Sequence, residues 1–263
     1  MNALKNFFIP VIVFVTVALA VVPKAAYAQT DEIQVYDAEI EDLGKFNVMV
    51  HSNFTPIGRK TQNFPDAIIA NHSVNGTVEW AYGGASWFEQ GIYFPVYTAY
   101  SEGRGGSLNG FKIRELFVRP HAHDHTFFYG VNFEFSVNYH YWESKHITSE
   151  VRTIVGLHLH AWDLVFNPIV DTDYTGGLGN LEFVPSERIA YNLVKDKWAV
   201  AVEEYEDDGP LRHFLPAHDQ FHEVWAVMDH DTKFLNIETG VGVGVTPGAD
   251  KLTFKLMLSR DLN

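Results

Sequence analysis

Large apolar residues alternate with mostly small or polar ones along residues 126–140. One set of positions holds the large apolar side chains Phe127, Tyr129, Val131, Phe133, Phe135, Val137 and Tyr139. The positions between them are mostly small or polar, and Glu134 stands near the middle. Because successive side chains of a β-strand point to opposite faces, the pattern predicts a strand with one apolar and one polar face. A central carboxylate indicates that the polar face lines a water-containing interior.

The same alternation recurs along the chain, between clusters of Gly, Pro, Asp and Asn that act as turn signals. It predicts twelve strands, near residues 45–54, 74–83, 86–97, 110–119, 126–140, 148–161, 163–173, 180–193, 197–206, 220–229, 234–245 and 251–260. An even number of antiparallel strands is typical of single-chain bacterial outer-membrane barrels. The predicted fold is therefore all-β, an antiparallel up-and-down transmembrane β-barrel.

The predicted connections alternate in length. One set is short, at residues 83–86, 120–125, 161–162, 194–197 and 230–233. The other set includes the long connections 55–73, 98–109, 174–179 and 206–219. Short turns at one end and longer loops at the other are typical of outer-membrane barrels, and a soluble sandwich has no reason for this asymmetry.

Aromatic residues and prolines add detail to this prediction. Five aromatic side chains fall at strand ends on the short-turn side, where an interfacial girdle is expected: Trp80, Tyr82, Trp87, Trp162 and Trp198. The alternative is that they are core aromatics of a soluble β-protein. Pro95, Pro168 and Pro185 fall inside predicted strands, and because proline lacks an N–H donor they predict bulges or shortened strands.

The N-terminus has the features of a secretory signal peptide. Lys5 precedes the apolar run 7–22, and the small-residue pattern 26–28 predicts cleavage after Ala28. Residues 29–263 then form the barrel, with residues 29–44 as a periplasmic N-terminal extension; the acidic segment 31–42 alternatively tucks into the pore. Export together with a barrel pattern predicts the bacterial outer membrane as the location.

Composition narrows the possible functions. The chain has no cysteine, which excludes a disulfide scaffold and an acylated lipoprotein cysteine. Acidic residues exceed basic ones by 14, which argues against nucleic acid as a partner. No phosphate-binding loop or dinucleotide fingerprint occurs in a suitable setting, so no organic cofactor is expected.

Three segments resemble the uncharacterised proteobacterial outer-membrane barrels that are labelled putative transporters or phenol-degradation-pathway proteins. They are 76–83 running into 87–95, then 198–211, and 237–246. The resemblance implies a fold and a location but no chemistry. As a barrel of this type, the chain would contact outer-membrane lipid and lipopolysaccharide and be inserted by the barrel-assembly machinery. It ends in Arg260-Asp261-Leu262-Asn263 rather than in the aromatic residue usual for insertion.

Charged residues at predicted inward positions are the first candidates for function. They are Glu79, Glu89, Arg114, Glu134, Arg152, Arg188, Glu203, Glu238 and Lys255. One interpretation is a passive channel or transport-associated protein for an unknown small solute, whose selectivity these charges set. The alternative is a non-conducting structural or binding barrel, in which the same charges form a salt-bridge network that fills the lumen.

Histidines suggest a metal site. His121, His123 and His125 lie in one predicted turn, and His158 and His160 share the inward face of a strand that ends at the same rim. Imidazoles two residues apart can converge on Zn²⁺ or Cu²⁺, with Asp124 as a further ligand. The alternative is that these polar side chains merely decorate a wet rim.

Catalysis is the third class of function, and the sequence favours no enzyme. Some outer-membrane barrels hydrolyse lipids with Ser and His near the outer rim, and Asn138, His140 and Ser144 lie close together in this sequence. Their spacing matches no nucleophile motif.

Overall fold

A computed structural model describes residues 30–195 and 197–262, so the predicted signal peptide, residues 1–28, lies outside the described residues. The described chain forms fifteen β-segments: β1 Phe46–Ile57, β2 Ser73–Ala85, β3 Phe88–Tyr100, β4 Ser107–Val118, β5 Phe127–Asn138, β6 Ile147–Leu159, β7 Trp162–Asn167, β8 Ile169–Thr172, β9 Glu182–Phe183, β10 Ser186–Val194, β11 Trp198–Asp207, β12 Gly209–Pro210, β13 Phe221–Asp231, β14 Asn236–Gly244 and β15 Leu252–Asp261. Two short 3-10 turns lie at Ala122–Asp124 and Gly177–Asn180. None of the helices in the described part of the chain is long and apolar enough to cross a bilayer.

Antiparallel pairing closes these strands into a barrel. β1 pairs with β2 on one side and with the last strand, β15, on the other. β7 joins β6 to β10, which closes the ring. β7 and β8 make one interrupted barrel strand, and the short β9 and β12 extend the sheet beside β8. The barrel thus has twelve strands, which confirms the predicted fold.

Prolines account for the irregular strands, as predicted. Pro168 separates β7 from β8, and Pro185 separates β9 from β10, so the predicted strand 180–193 is split in two. Next to Pro95, the pairing of β3 with β4 shifts register between Tyr93 and Val96. At each interruption, the proline has no backbone N–H to donate to the neighbouring strand.

Connections at the two ends differ in length. The turn end carries residues 86–87, 119–126, 160–161, 195–197 and 232–235, together with the start of β1 and the end of β15. The loop end carries residues 58–72, 101–106, 139–146, 173–181, 208–220 and 245–251. This asymmetry is the predicted one.

Large apolar side chains cover the outer face of the barrel. Ile92, Ile113, Phe133, Val202 and Val241 lie on five different strands and are each exposed, as predicted for a surface that contacts lipid. Aromatic side chains are exposed toward the turn end: Trp80, Tyr82, Trp87, Trp162 and Trp198. The arrangement fits a hydrocarbon band with an interfacial girdle.

Inward-facing glycines leave space for large neighbours. A Cβ on Gly242 would lie 2.2 Å from the indole of Trp225, its partner across β13 and β14. Trp225 is 1% exposed. Its ring occupies the space next to Gly242, which has no side chain. The space left by inward-facing glycines therefore accommodates bulky side chains inside the barrel.

A charge on the outer face should destabilise the barrel. For Val202→Arg we expect a loss of about 2–4 kcal/mol in the free energy of unfolding, because an arginine near the bilayer midplane meets hydrocarbon. Urea unfolding in lipid vesicles measures this difference. Leu178→Arg in the exposed turn Gly177–Asn180 is the control and should change the stability little; equal losses in both variants would contradict a lipid-facing outer surface.

Candidate functional site

Residues 30–42, here called the plug, lie inside the barrel. The Asn53 amide of β1 donates to the Asp31 carbonyl at 3.1 Å near the loop end. At the other end of the plug, the Glu41 N–H donates to a carboxylate oxygen of Glu89 at 2.6 Å. Of the two locations considered for the acidic segment 31–42, the structure thus shows the one inside the pore.

Tyr36 fastens the middle of the plug to the wall. Its N–H donates to the Asn167 side-chain oxygen at 2.7 Å, and the Asn167 amide donates to the Tyr36 carbonyl at 2.9 Å. The Tyr36 hydroxyl lies 2.5 Å from that of Tyr93. Burial raises the pKa of Tyr36 well above its ordinary value, so the phenol stays neutral. The Arg152 guanidinium lies 4.2 Å from the Tyr36 ring centroid, a cation–π contact.

Apolar plug residues pack into small clusters on the lumen wall. Val35, Tyr36 and Ala38 belong to a buried cluster with Phe128 and Ile154. These contacts and the hydrogen bonds hold the plug in an ordered position rather than loosely in water.

Arg114 of β4 organises the first group of lumen charges. It forms ion pairs with Glu79 and with Glu89, the latter at 2.6 Å. Glu79 also lies 3.3 Å from His51 Nε2. All four side chains are buried, and such charges require partners of this kind because an isolated buried charge is very costly.

Lys255 and Arg188 organise a second group on the opposite wall. Lys255 Nζ lies 2.5 Å from a Glu203 oxygen and 2.6 Å from a Glu238 oxygen. Arg188 forms ion pairs with Glu203 and Asp229. Lys255 also donates to the Ile33 carbonyl of the plug at 3.2 Å.

Two further lumen cations, Lys112 and Arg152, lie next to the plug. Lys112 Nζ lies 2.9 Å from Asp31 of the plug and 3.1 Å from Glu134. Arg152 pairs with Glu150 at 2.8 Å and donates to the Gln34 carbonyl at 2.9 Å. All nine predicted lumen residues thus line the interior, and each takes part in at least one ion pair.

Two cavities flank the plug. A cavity of about 210 Å³ opens at the turn end, lined by Glu41, Asn47 and Asp261 among others. A smaller one of about 20 Å³ lies at the loop end, next to Thr30 and Asn53. In the larger cavity, burial and the negative charges of Asp261 and Glu89 raise the pKa of Glu41 to about 7.

The structure does not bring the predicted metal-binding histidines together. His121 and His123 are exposed in the turn, with ring centroids 6.5 Å apart. His158 is hydrogen-bonded to Asp163 at 2.6 Å and stacks on Phe128. Across residues 30–195 and 197–262, no three of His121, His123, His125, His158 and His160 place ligand atoms within 4.8 Å of one another. Metal binding by this group stays a prediction.

The three residues considered for lipid hydrolysis have separate partners. The Ser144 hydroxyl donates to the Glu143 carboxylate at 3.0 Å. The Asn138 amide donates to Thr148 at 3.0 Å. His140 is exposed and packs against the Tyr141 ring.

Sequence reasoning missed the residues that fasten the plug. Asn53, Tyr36 and Asn167 act through backbone hydrogen bonds that no side-chain pattern announces. A weak signal exists at Ile33 and Val35, two apolar side chains at alternate positions of an otherwise acidic segment.

Comparisons with known proteins agree with the fold. No protein-family model matches the chain, and no curated protein matches it by sequence. Among solved structures, the COG4313 outer membrane channel from Pseudomonas putida F1 is similar with a TM-score of 0.60, 13% identity, and coverage of 88% of this chain and 100% of that one. The NanC porin is similar with a TM-score of 0.51, 9% identity, and coverage of 82% and 100%. The chain therefore has the closed antiparallel fold of bacterial outer-membrane β-barrels such as channels and porins.

Proposed function

We propose that this barrel is an outer-membrane channel or transport-associated protein for small solutes, closed at rest by the plug. The observation that carries the proposal is a polar, charged lumen in which residues 30–42 separate a cavity at the turn end from one at the loop end. Open space on both sides of a single chain segment suits a pore that this segment closes.

The plug has contacts that can be broken one at a time. Its backbone is fastened to Asn53, Asn167, Arg152 and Lys255 by hydrogen bonds. Each such bond contributes about 0.5–1.5 kcal/mol net. A segment held by several modest contacts can exchange between a docked and a released position.

Charges on the wall would then set selectivity. When the plug leaves, Lys112 loses Asp31 but keeps Glu134, and Arg152 keeps Glu150. The released lumen would present paired charges of both signs, which select solutes by charge and size.

The membrane setting is part of the proposal. The apolar outer face would contact outer-membrane lipid and, in the outer leaflet, lipopolysaccharide. Insertion would use the barrel-assembly machinery. The turn end would face the periplasm, as is usual for short turns.

Paired wall charges equally suit the alternative, a non-conducting structural barrel, so conductance decides between the two. For Asn167→Ala we expect the open probability in planar bilayers to rise about tenfold or more, because two hydrogen bonds to Tyr36 are lost, worth about 1–3 kcal/mol together. The control is Asn192→Ala at the turn end, which contacts Ala161 and Asp163 rather than the plug. Silence of both variants, and of a chain lacking residues 30–42, would favour the structural barrel.

Ion selectivity tests the role of the lumen charges. Glu134→Gln removes a negative charge beside Lys112, so we expect reversal potentials under a salt gradient to shift toward anion preference. Glu115→Gln on the neighbouring strand is the matched control, since Glu115 shares the outer face of β4 with Ile113 and bonds to Gln90. A shift of the same size in both variants would show that the lumen does not select.

Glu41 predicts a pH dependence. Its pKa is about 7 in the docked plug against the ordinary 4.5, so the docked state binds the proton more tightly and low pH favours docking. As pH rises from about 4.5 to about 7, docking weakens, and open probability should be higher at about pH 8 than at about pH 5. Glu41→Gln should flatten this profile; a profile that rises toward acid, or one that the substitution leaves unchanged, would contradict the role of Glu41.

A further inference from the structure

We propose that Glu204, Glu206 and His222 form a binding site for a divalent transition-metal ion such as Zn²⁺. The site lies on the outer face of the barrel near the loop end, and it is separate from the lumen and from the histidines of the turn end. One oxygen from each glutamate and one ring nitrogen of His222 all lie within 4.8 Å of one another.

Strand register brings these three side chains together. Glu204 and Glu206 alternate on β11, so both point to the outer face, beyond the exposed Val202. His222 of β13 pairs directly with Glu206 across the sheet. His222 Nδ1 lies 3.3 Å from a Glu204 oxygen and 3.6 Å from a Glu206 oxygen. A regular sheet therefore holds the three donors, and no flexible loop is needed to assemble them.

Gln220 determines which ring nitrogen of neutral His222 carries the proton. The Gln220 amide donates to the Leu215 carbonyl at 3.0 Å, so its oxygen is the atom directed at His222 Nε2, 3.2 Å away. An oxygen acceptor there requires the proton on Nε2. In the neutral imidazole, Nδ1 then carries a lone pair that points at two carboxylates. Three such acceptors facing one another suit a bound cation, and an outer-shell partner that orients a histidine in this way is typical of metal sites.

Neighbouring carboxylates add to the negative charge around the site. The Asp208 carboxylate lies 3.8 Å from His222 Nε2, and Glu187 pairs with Glu204 across β10 and β11. Within the described ranges 30–195 and 197–262, none of the ion pairs joins a lysine or arginine to Glu204, Glu206 or Asp208. The lumen carboxylates Glu79, Glu134 and Glu203, in contrast, are each paired with Lys or Arg. An uncompensated acidic group with one imidazole attracts a divalent cation.

The donor set indicates the class of metal. One imidazole and two carboxylates suit Zn²⁺ and similar first-row ions better than Mg²⁺ or Ca²⁺, which prefer oxygen alone. The side chains of Glu204, Glu206 and His222 are only 19–31% exposed, so an ion can reach them from solvent and still lose part of its water.

Calorimetric titration of the full-length protein in detergent micelles with Zn²⁺ tests the site, with thermal unfolding as a second readout. We expect binding to the wild type, and a rise in the unfolding temperature, because an ion that binds only the folded state stabilises it. His222→Ala should weaken binding by more than about tenfold, the range already reached when only an outer-shell partner is lost. The isosteric variant Glu206→Gln keeps the shape of the site and should weaken binding too.

Two controls separate this site from other histidines. His218→Ala removes an exposed loop-end histidine whose ion pair is with a single carboxylate, Asp219, and should bind Zn²⁺ as the wild type does. The triple variant His121→Ala, His123→Ala, His125→Ala should keep the loop-end binding. The proposal is overturned if the wild type shows no binding, if His222→Ala binds Zn²⁺ with unchanged affinity, or if the triple variant alone abolishes binding. If the wild type binds no Zn²⁺, or if His222→Ala binds it unchanged, His222, Glu204 and Glu206 form an ordinary hydrogen-bonded group.

Discussion

Every backbone N–H and C=O group that lies in hydrocarbon must find its partner within the protein, and the rest of this structure depends on that constraint. Strands meet it only when the sheet has no free edge, which is why β1 pairs with β15 and β7 connects β6 to β10. The exception at Pro168 shows the same rule. There the Thr153 N–H donates to the Pro168 carbonyl at 2.9 Å, so the wall stays paired across the break between β7 and β8.

Closure in turn creates an interior that has to be filled or hydrated. Inward side chains of twelve strands cannot all meet across the axis, and the plug supplies the missing partners. Lys255 and Arg152 each combine carboxylate partners with a plug carbonyl. Buried cations gain from every acceptor they reach, since an unsatisfied donor is costly. Plug and wall therefore stabilise each other, and movement of one changes the charge balance of the other.

The period of two in the sequence was sufficient to predict the barrel. Alternation along residues 126–140 and its recurrence determine which side chains face inward, and closure then follows from the membrane, so strand number and the inward set of charges were accessible. The sequence did not reveal which of these charges form ion pairs. Partners such as Glu203 and Lys255 are 52 residues apart, and their pairing depends on strand register and tilt. The Tyr36 to Asn167 contact was equally hidden, because backbone acceptors carry no sequence signal.

The histidines show a further limit of pattern reading. Proximity in sequence suggested that His121, His123 and His125 converge, but among the described residues these three do not place ligand atoms within 4.8 Å of one another. Sheet pairing places His222 beside Glu206, which lies on another strand. The proposed metal ligands meet through the register of neighbouring strands rather than through their spacing along one strand. Register also explains a contrast in electrostatics. Inside the barrel, carboxylates such as Glu79, Glu134 and Glu203 meet a lysine or arginine of another strand. On the outer face near the loop end, ions from solvent can supply the compensating charge.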